Sequence, residues 1–212
     1  MRSAIEHGIK LIFWRLHMAT NSLQELYVEQ LQDLYDAEQQ IIKALPKMIE
    51  AAQSEELRNA LSEHLDVTRK QAERVEKICQ ELGEDVKGEK CKGMEGVLKE
   101  GSELVKDVEN EEVRDAAIIA AAQRVEHYEM AGYGTARTYA TLLGFDEAAS
   151  ALEETLAEEK EADETLSDLA EELNAEALNS EEEEEGEEEG ESESATAKPT
   201  RSTKSGGRKR VA

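Results

Sequence analysis

The chain has 212 residues and a formal net charge of −25, and it contains only two prolines and 4% aromatic residues. So few prolines and aromatic residues argue against a β-sandwich or barrel, whereas the many Ala, Leu, Glu, Gln and Lys residues favour an all-α fold. The segment 181–212 holds ten acids and six bases, so residues 1–180 carry −21, a charge that repels nucleic acid and anionic membranes and attracts cations.

Residues 1–19 are predicted to form a leader outside the folded domain, disordered or weakly helical. The apolar stretch at residues 9–14 is too short to span a bilayer and is interrupted by Lys10, and no cleavage site follows it. Met18 is therefore an alternative start to Met1. We expect no membrane association and a cytoplasmic location.

Two long helices are predicted to form a first hairpin. Ser22 followed by Glu25 has the capping-box pattern, so the first helix begins there and ends near Ala52. Ser54 can cap a second helix, which Gly83 terminates. The short interval between the helices predicts that they are antiparallel neighbours.

The connection to the next long helix is predicted to be a crossover. Residues 84–110 contain four glycines around a short amphipathic stretch at 97–108, and a connection of this length joins two hairpins better than a tight turn does. A second hairpin follows, with helices predicted at about 111–143 and 147–177 and a turn at Gly144. The sequence therefore predicts two antiparallel helical hairpins joined by a crossover that carries a short extra helix.

Residues 178–212 are predicted to be a disordered tail, first acidic and then basic, so that the folded domain comprises residues 20–177. A run of glutamates cannot bury apolar surface, and the Lys- and Arg-containing end is equally polar. The basic end could touch DNA, but association with the neighbouring glutamates is an equal alternative. The acidity of the domain argues against nucleic acid as the partner.

Cys79 and Cys91 are too few for a disulfide scaffold, and no zinc-type spacing of Cys and His accompanies them. We therefore expect two reduced thiols, in keeping with a cytoplasmic protein.

Each long helix has a stripe of apolar residues that becomes polar near its middle. Folding the two hairpins about residues 53 and 145 places these polar positions at one level of the bundle. They are Glu38 on the first helix, His64 on the second, Glu126 and Glu129 on the third, and Glu159 and Asp163 on the fourth.

Five carboxylates in one buried layer would cost several kcal/mol each unless they were compensated. No Lys or Arg lies in the stripes, but two divalent cations would balance the charge. Carboxylates with a single histidine are hard ligands that favour Fe or Mn over Cu. The pattern predicts a two-metal site, although Glu159 alone could be a solvated surface residue and His64 alone a core histidine.

Further polar residues are predicted to orient these ligands or to pack beside them. They are Tyr35, Thr68, Gln71 and Tyr133. His127 is a quarter turn away from the stripe that contains Glu126, and we expect it to be structural.

Several motifs in residues 20–173 resemble the YciE/YciF group, a ferritin-like family linked to bacterial and archaeal stress responses. The motifs are LYDAEQQ at 34–40, ALPK at 44–47, His64 with Thr68 and Gln71, CKGMEG at 91–96, EHYE at 126–129, and LAEEKEAD at 156–163.

The resemblance implies a ferritin-like four-helix bundle that forms a homodimer and holds two metal ions, iron or alternatively manganese. The residues that match as ligands are Glu38, His64, Glu126, Glu129, Glu159 and Asp163. The chain departs from the wider ferritin-like pattern because Leu61, not a carboxylate, precedes His64 by three residues, and because the fourth helix has no histidine. These departures leave the ligand count and the metal open.

Two functions are consistent with the sequence. The first, which the resemblance implies, is a ferroxidase-type oxidoreductase that uses Fe(II) and consumes dioxygen or peroxide in a stress response. The second is a non-catalytic, metal-stabilised structural or interaction protein whose charged tail recruits a partner. Oxidation of added Fe(II) in air distinguishes the two.

Overall fold

The computed structural model describes residue 20 and residues 22–196, with side chains described as far as residue 179. In this part of the chain there are five α-helices and no strand, which confirms the all-α prediction. The helices are α1 (Leu23–Ala51), α2 (Glu55–Leu82), α3 (Lys92–Lys106), α4 (Glu111–Leu143) and α5 (Asp146–Thr196). The predicted leader at 1–19 and the basic end of the tail lie outside the described residues. Among the helices described, none is long and apolar enough to cross a membrane.

The ends of the long helices follow the local sequence signals. The Ser22 side chain accepts a hydrogen bond from the Glu25 amide at 3.1 Å, and the Glu25 carboxylate accepts one from the Ser22 amide at 3.1 Å, which completes the predicted capping box. The Ser54 side chain caps α2 by accepting a hydrogen bond from the Leu57 amide at 3.2 Å. Gly83 and Gly144 end α2 and α4 in the left-handed region, at φ 72° and 77°, where a side chain would be strained.

The four long helices form a closed bundle of two hairpins. Helix α1 packs against α2 and α4, and α5 packs against α4 and α2. The crossover between the hairpins contains α3, which lies against α1 and α4. This arrangement confirms the predicted four-helix bundle with one extra helix in the crossover.

Helix α3 begins five residues earlier and ends two residues earlier than predicted, since it spans Lys92–Lys106 rather than 97–108. Cys91 is its N-cap, with its sulfur 3.4 Å from the Met94 amide nitrogen, and the Cys91 amide donates to Asp36 Oδ2 at 2.8 Å. Cysteine is not one of the residues that normally signal a helix start, so the sequence did not reveal this one.

Helix α5 is longer than predicted, because helical backbone continues from Asp146 through the glutamate run to Thr196 instead of ending near residue 177. The high intrinsic helix propensity of Glu accounts for this helical backbone, and the boundary of the folded domain near residue 177 stays a prediction. The last buried side chains described on α5 are those of Leu173 and Ala177.

Two apolar clusters fill the bundle, one on each side of a polar layer. The first includes Ile41, Leu45, Leu57, Leu61, Ile118, Ile119 and Leu166. The second includes Tyr27, Leu31, Leu34, Val75, Ile78, Leu152 and Leu156. On α1, Glu38 falls between Leu34 of one cluster and Ile41 of the other. Burial of the two clusters stabilises the bundle and excludes water from the polar layer between them.

Candidate metal centre

Four side chains from three helices meet in the polar layer. His64 projects from α2, Glu126 and Glu129 from α4, and Glu159 from α5, and one ligand atom of each lies within 4.8 Å of the others. His64 Nε2 is 3.4 Å from Glu126 Oε1 and 4.0 Å from Glu159 Oε2. Glu126 and Glu129 share a helix face because residues three apart are neighbours on a helix. The structure thus brings together four of the six ligands predicted from the sequence.

Glu38 adds a fifth side chain from α1. It is completely buried, and its Oε1 accepts a hydrogen bond from the Tyr133 hydroxyl. After burial, the Glu38 carboxylate is the largest cause of the raised pKa of Glu129, which places the two groups side by side. All four long helices therefore contribute to the layer. We call the set Glu38, His64, Glu126, Glu129 and Glu159 the carboxylate cluster.

The carboxylate cluster is buried, but most of its side-chain polar atoms have no hydrogen-bond partner. Glu38, Glu129 and Glu159 have no exposed surface, and the side chains of Glu126 and His64 are 3% and 10% exposed. No hydrogen bond from the described residues reaches seven of its buried atoms. These are Glu38 Oε2, His64 Nε2, Glu126 Oε2, both carboxylate oxygens of Glu129 and both of Glu159. Buried polar atoms normally have partners, so this concentration requires an explanation.

Burial changes the acidity of every member of the cluster. It raises the pKa values of Glu38, Glu126 and Glu129 well above their usual range, and the charge of Glu159 raises those of Glu38 and Glu126 further. It also raises the pKa of Glu159 to about 7 and lowers that of His64 to about 4. The protein alone therefore favours the uncharged forms, whereas a bound cation would favour the ionised carboxylates.

The donor set fits a divalent metal ion. Its free atoms are carboxylate oxygens and one imidazole nitrogen, which are the ligands that Fe, Mn and Zn accept in proteins. A cation would supply the partners that the unpaired oxygens lack. The cluster could therefore hold a metal.

Asp163, the sixth predicted ligand, does not join the cluster. Its Oδ1 accepts a hydrogen bond from Gln123 Nε2 at 3.3 Å, its Oδ2 lies 3.3 Å from His127 Nε2, and its side chain is 23% exposed. Four residues advance a helix by about 400°, so Asp163 is rotated about 40° from Glu159, and its side chain is one methylene shorter. His127, predicted to be structural, is thus the neighbour of Asp163 and is 65% exposed.

The residues predicted to orient the ligands differ in their contacts. Tyr133 bonds Glu38 directly, and Thr68 donates to the backbone carbonyl of His64 at 2.8 Å. Tyr35 packs against the second apolar cluster, and no hydrogen bond described for Tyr35 reaches the carboxylate cluster. Of the four predicted residues, Tyr133 and Thr68 therefore make a hydrogen bond to a residue of the carboxylate cluster.

Sequence reasoning missed a half-buried cation beside the cluster, Arg74, whose side chain is 17% exposed. Arg74 donates to Glu158 at 2.8 and 3.1 Å and to Thr155 Oγ1 at 2.5 Å, and Gln71 Nε2 also donates to Glu158, at 3.1 Å. Arg74 lies outside the stripe of α2, and only the length of its side chain brings it to α5. The signal in the sequence was the position of Arg74 three residues after Gln71, on the same side of the helix.

Comparison with known proteins agrees with this architecture. Residues 22–179 match the model of a family described as a domain of unknown function, DUF892. The chain belongs to the DUF892 family. Protein YciF of Escherichia coli K12 is 44% identical to this DUF892 chain over 154 residues, which are 72% of the chain and 93% of YciF. The resemblance to the YciE/YciF group is thereby confirmed.

Solved structures show the same fold. The E. coli stress protein YciF matches with 43% identity and a TM-score of 0.71, over 74% of this chain and 99% of that one. YcfI of Rhodopseudomonas palustris, described as a candidate structural protein, matches with 43% identity and a TM-score of 0.68, over 69% of this chain and 94% of YcfI. A protein of Xanthomonas campestris shares the fold at 21% identity and a TM-score of 0.61, over 77% of this chain and 99% of that one.

Proposed function

We propose that this DUF892 chain binds two divalent cations, iron in the cell, in the carboxylate cluster, and that it oxidises Fe(II) with dioxygen or peroxide. The observation that carries the proposal is the set of seven buried ligand atoms without hydrogen-bond partners. Four glutamates ionise to a charge of −4, which two divalent cations neutralise. One cation would leave two negative charges buried, at a cost of several kcal/mol each.

The ligand roles follow from position. Glu38, Glu129 and Glu159 have no exposed surface, while His64 and Glu126 lie nearer to solvent. Glu159 is within reach of both groups, since its charge acts on Glu38 and on Glu126. Asp163 is left out of the proposed set because Gln123 and His127 hold it. When bound, iron would supply the electrons that dioxygen or peroxide accepts.

Surrounding residues hold the cluster in place. The Tyr133 hydroxyl fixes one oxygen of Glu38 and leaves Oε2 for an ion. Arg74 and Gln71 hold Glu158, the residue that precedes Glu159 on α5, so that its charge is paired and does not compete for the site. The apolar clusters above and below exclude water.

A role in the stress response is part of the proposal. The E. coli relative is described as a stress protein. Removal of Fe(II) or of peroxide protects a cell under oxidative stress because the two react to damaging radicals. We extend that role to this chain on the strength of its family membership and its cluster.

The first test is metal content and iron oxidation. We expect protein purified without chelator to contain metal, anaerobic titration with Fe(II) to saturate at two ions per chain, and ferric absorbance to rise in air faster than in buffer alone. Glu38→Ala and Glu126→Ala should each lower occupancy while preserving helix content, whereas Glu100→Ala, an exposed change on α3, should not. Unchanged metal content in both cluster variants would refute the site.

The second function, a metal-stabilised structural protein without turnover, is favoured by the description of YcfI. It predicts the same binding of two ions, but Fe(II) oxidation no faster than in buffer. The iron experiment therefore separates the two functions by the rate of Fe(II) oxidation alone.

Homodimer formation, and recruitment of a partner by the tail, stay predictions that light scattering of the full chain and of a tail deletion would test.

A further inference from the structure

A cavity of about 240 Å³ lies between α2 and α5 and ends on the carboxylate cluster. His64 and Glu126 line it, and both also belong to the cluster. Its walls are largely apolar, with Val67 from α2 and Ala162 from α5 among them. Helices α2 and α5 thus leave a space that leads from the surface to the proposed metal ligands.

The floor of the cavity carries two ligand atoms without partners. Glu126 Oε2 and His64 Nε2 are both buried, and no hydrogen bond from the described residues reaches either. On the far side of the cluster, Glu38 and Glu129 have no exposed surface, and the Tyr133 hydroxyl covers Glu38. The cavity therefore approaches the cluster from the side of its two least buried members, His64 and Glu126.

Every charged residue that lines the cavity is acidic. Apart from Glu126 at the floor, these are Glu63, Glu158 and Glu161. Arg74 neutralises Glu158, whereas Glu63 and Glu161 are exposed and have no ion pair among the described residues. An unpaired acidic lining favours a cation and repels an anion, because field lines concentrate in a cleft with apolar walls.

We propose that this cavity is the port through which hydrated divalent cations reach the carboxylate cluster. Glu63 and Glu161 attract the ion at the mouth, and His64 and Glu126 accept it at the floor as it loses water. This port rests on the proposed metal site, and it goes beyond that site because it assigns a route and two further residues. The route predicts that cation uptake depends on charges and space outside the ligand set.

Stopped-flow uptake of Co(II) by the metal-free full-length chain tests the port, with cobalt absorbance as the readout. E63Q/E161Q should slow uptake about 3- to 10-fold at low salt, because it removes the steering charge. The difference should shrink as salt screens that charge, and the final stoichiometry should stay that of the wild type. The matched control is E100Q/E147Q, which removes the same charge from exposed sites on α3 and α5 away from the cavity and should load at the wild-type rate.

A second variant tests the space itself. Ala162→Leu adds three carbons to the cavity wall, so it should slow uptake several-fold at every salt concentration while final occupancy is preserved. Wild-type rates in both E63Q/E161Q and Ala162→Leu, with normal final loading, would overturn the port and leave the metal site intact. Failure of the wild-type chain to take up cobalt would overturn the metal site, and the port with it.

Discussion

Two buried acids on α4, Asp115 and Glu129, have opposite surroundings. Asp115 is 3% exposed, and its two oxygens accept hydrogen bonds from the backbone amides of Gln53 and Ser54 at 2.8 and 2.7 Å. It thereby fixes the turn between α1 and α2 from across the bundle. Glu129 is completely buried, and neither of its oxygens has a hydrogen-bond partner in the described part of the chain.

The comparison shows that burial alone does not identify a ligand. A carboxylate whose oxygens are occupied by amides stabilises the fold and has nothing left to offer a cation. A carboxylate buried without donors destabilises the protein until something positive arrives. Asp115 is therefore a structural residue, and Glu129 is a candidate ligand.

The largest effect that tests this contrast is expected at Asp115. Asp115→Ala should lower the free energy of unfolding by about 3 kcal/mol, because it removes two hydrogen bonds from amides of the α1–α2 turn to a carboxylate. The loss should be the same with and without metal, as measured by urea denaturation. A loss of stability that appeared only in the metal-loaded protein would mean that Asp115 acts through the carboxylate cluster. The contrast between a structural Asp115 and a metal-binding Glu129 would then be wrong.

The next largest effect is the pH dependence of the metal-free protein. The pKa of Glu159 is raised from its usual 4.5 to about 7, so the stability that its protonated form contributes is complete below pH 4.5 and is lost as the pH rises through 7. Glu38, Glu126 and Glu129 act in the same direction.

His64 acts in the opposite direction. Its pKa falls from 6.5 to about 4, so the stability of its neutral form is complete above pH 6.5 and is lost as the pH falls through 4. Four carboxyls outweigh one imidazole, and we expect the metal-free protein to be more stable at pH 5.5 than at pH 7.5 by about 2 kcal/mol.

The metal-loaded protein should show the reverse trend, because acid displaces the ions. Thermal melting of both forms across this pH range checks the prediction. Coincident curves would show that the cluster neither binds metal nor holds crowded carboxylates.

Substitution of Glu129, the second of the two buried acids compared above, should have a smaller effect on the free energy of unfolding than substitution of Asp115, and of opposite sign. Glu129→Gln replaces a carboxyl whose ionised form the metal-free protein cannot compensate, so the free energy of unfolding at pH 7.5 should rise by up to about 1 kcal/mol. Cobalt titration of the same variant should show affinity at least about tenfold weaker, since an amide is a poorer ligand. A clear loss of stability without metal would instead make Glu129 structural, like Asp115.

The smallest effect is expected far from both acids. Deletion of residues 180–212 should change the free energy of unfolding by less than about 0.5 kcal/mol and leave metal stoichiometry unchanged, because such a segment cannot bury a core. The last buried residues described on α5, Leu173 and Ala177, are retained. A fall in melting temperature above about 5 °C would show that the tail packs on the bundle.

The sequence by itself determined that there are four long helices, where most of them begin and end, and the level of the polar layer. Caps at Ser22 and Ser54 and left-handed glycines at Gly83 and Gly144 act over a few residues, so they could be read directly. The position of Glu38 between apolar residues of its own stripe could also be derived from the sequence, because the helical period is regular and the two helices of a hairpin have matching levels along the bundle axis.

Only the tertiary structure decided which polar groups meet. Asp163 and Glu159 lie one turn apart, yet a rotation of about 40° and one methylene direct Asp163 to Gln123. Arg74 reaches Glu158 across the bundle, and Asp115 caps a turn more than 60 residues away in the chain. Such contacts depend on side-chain length and on the distances between helices. Those are set by packing of the whole bundle, whereas caps and stripes are set by neighbours within a few residues.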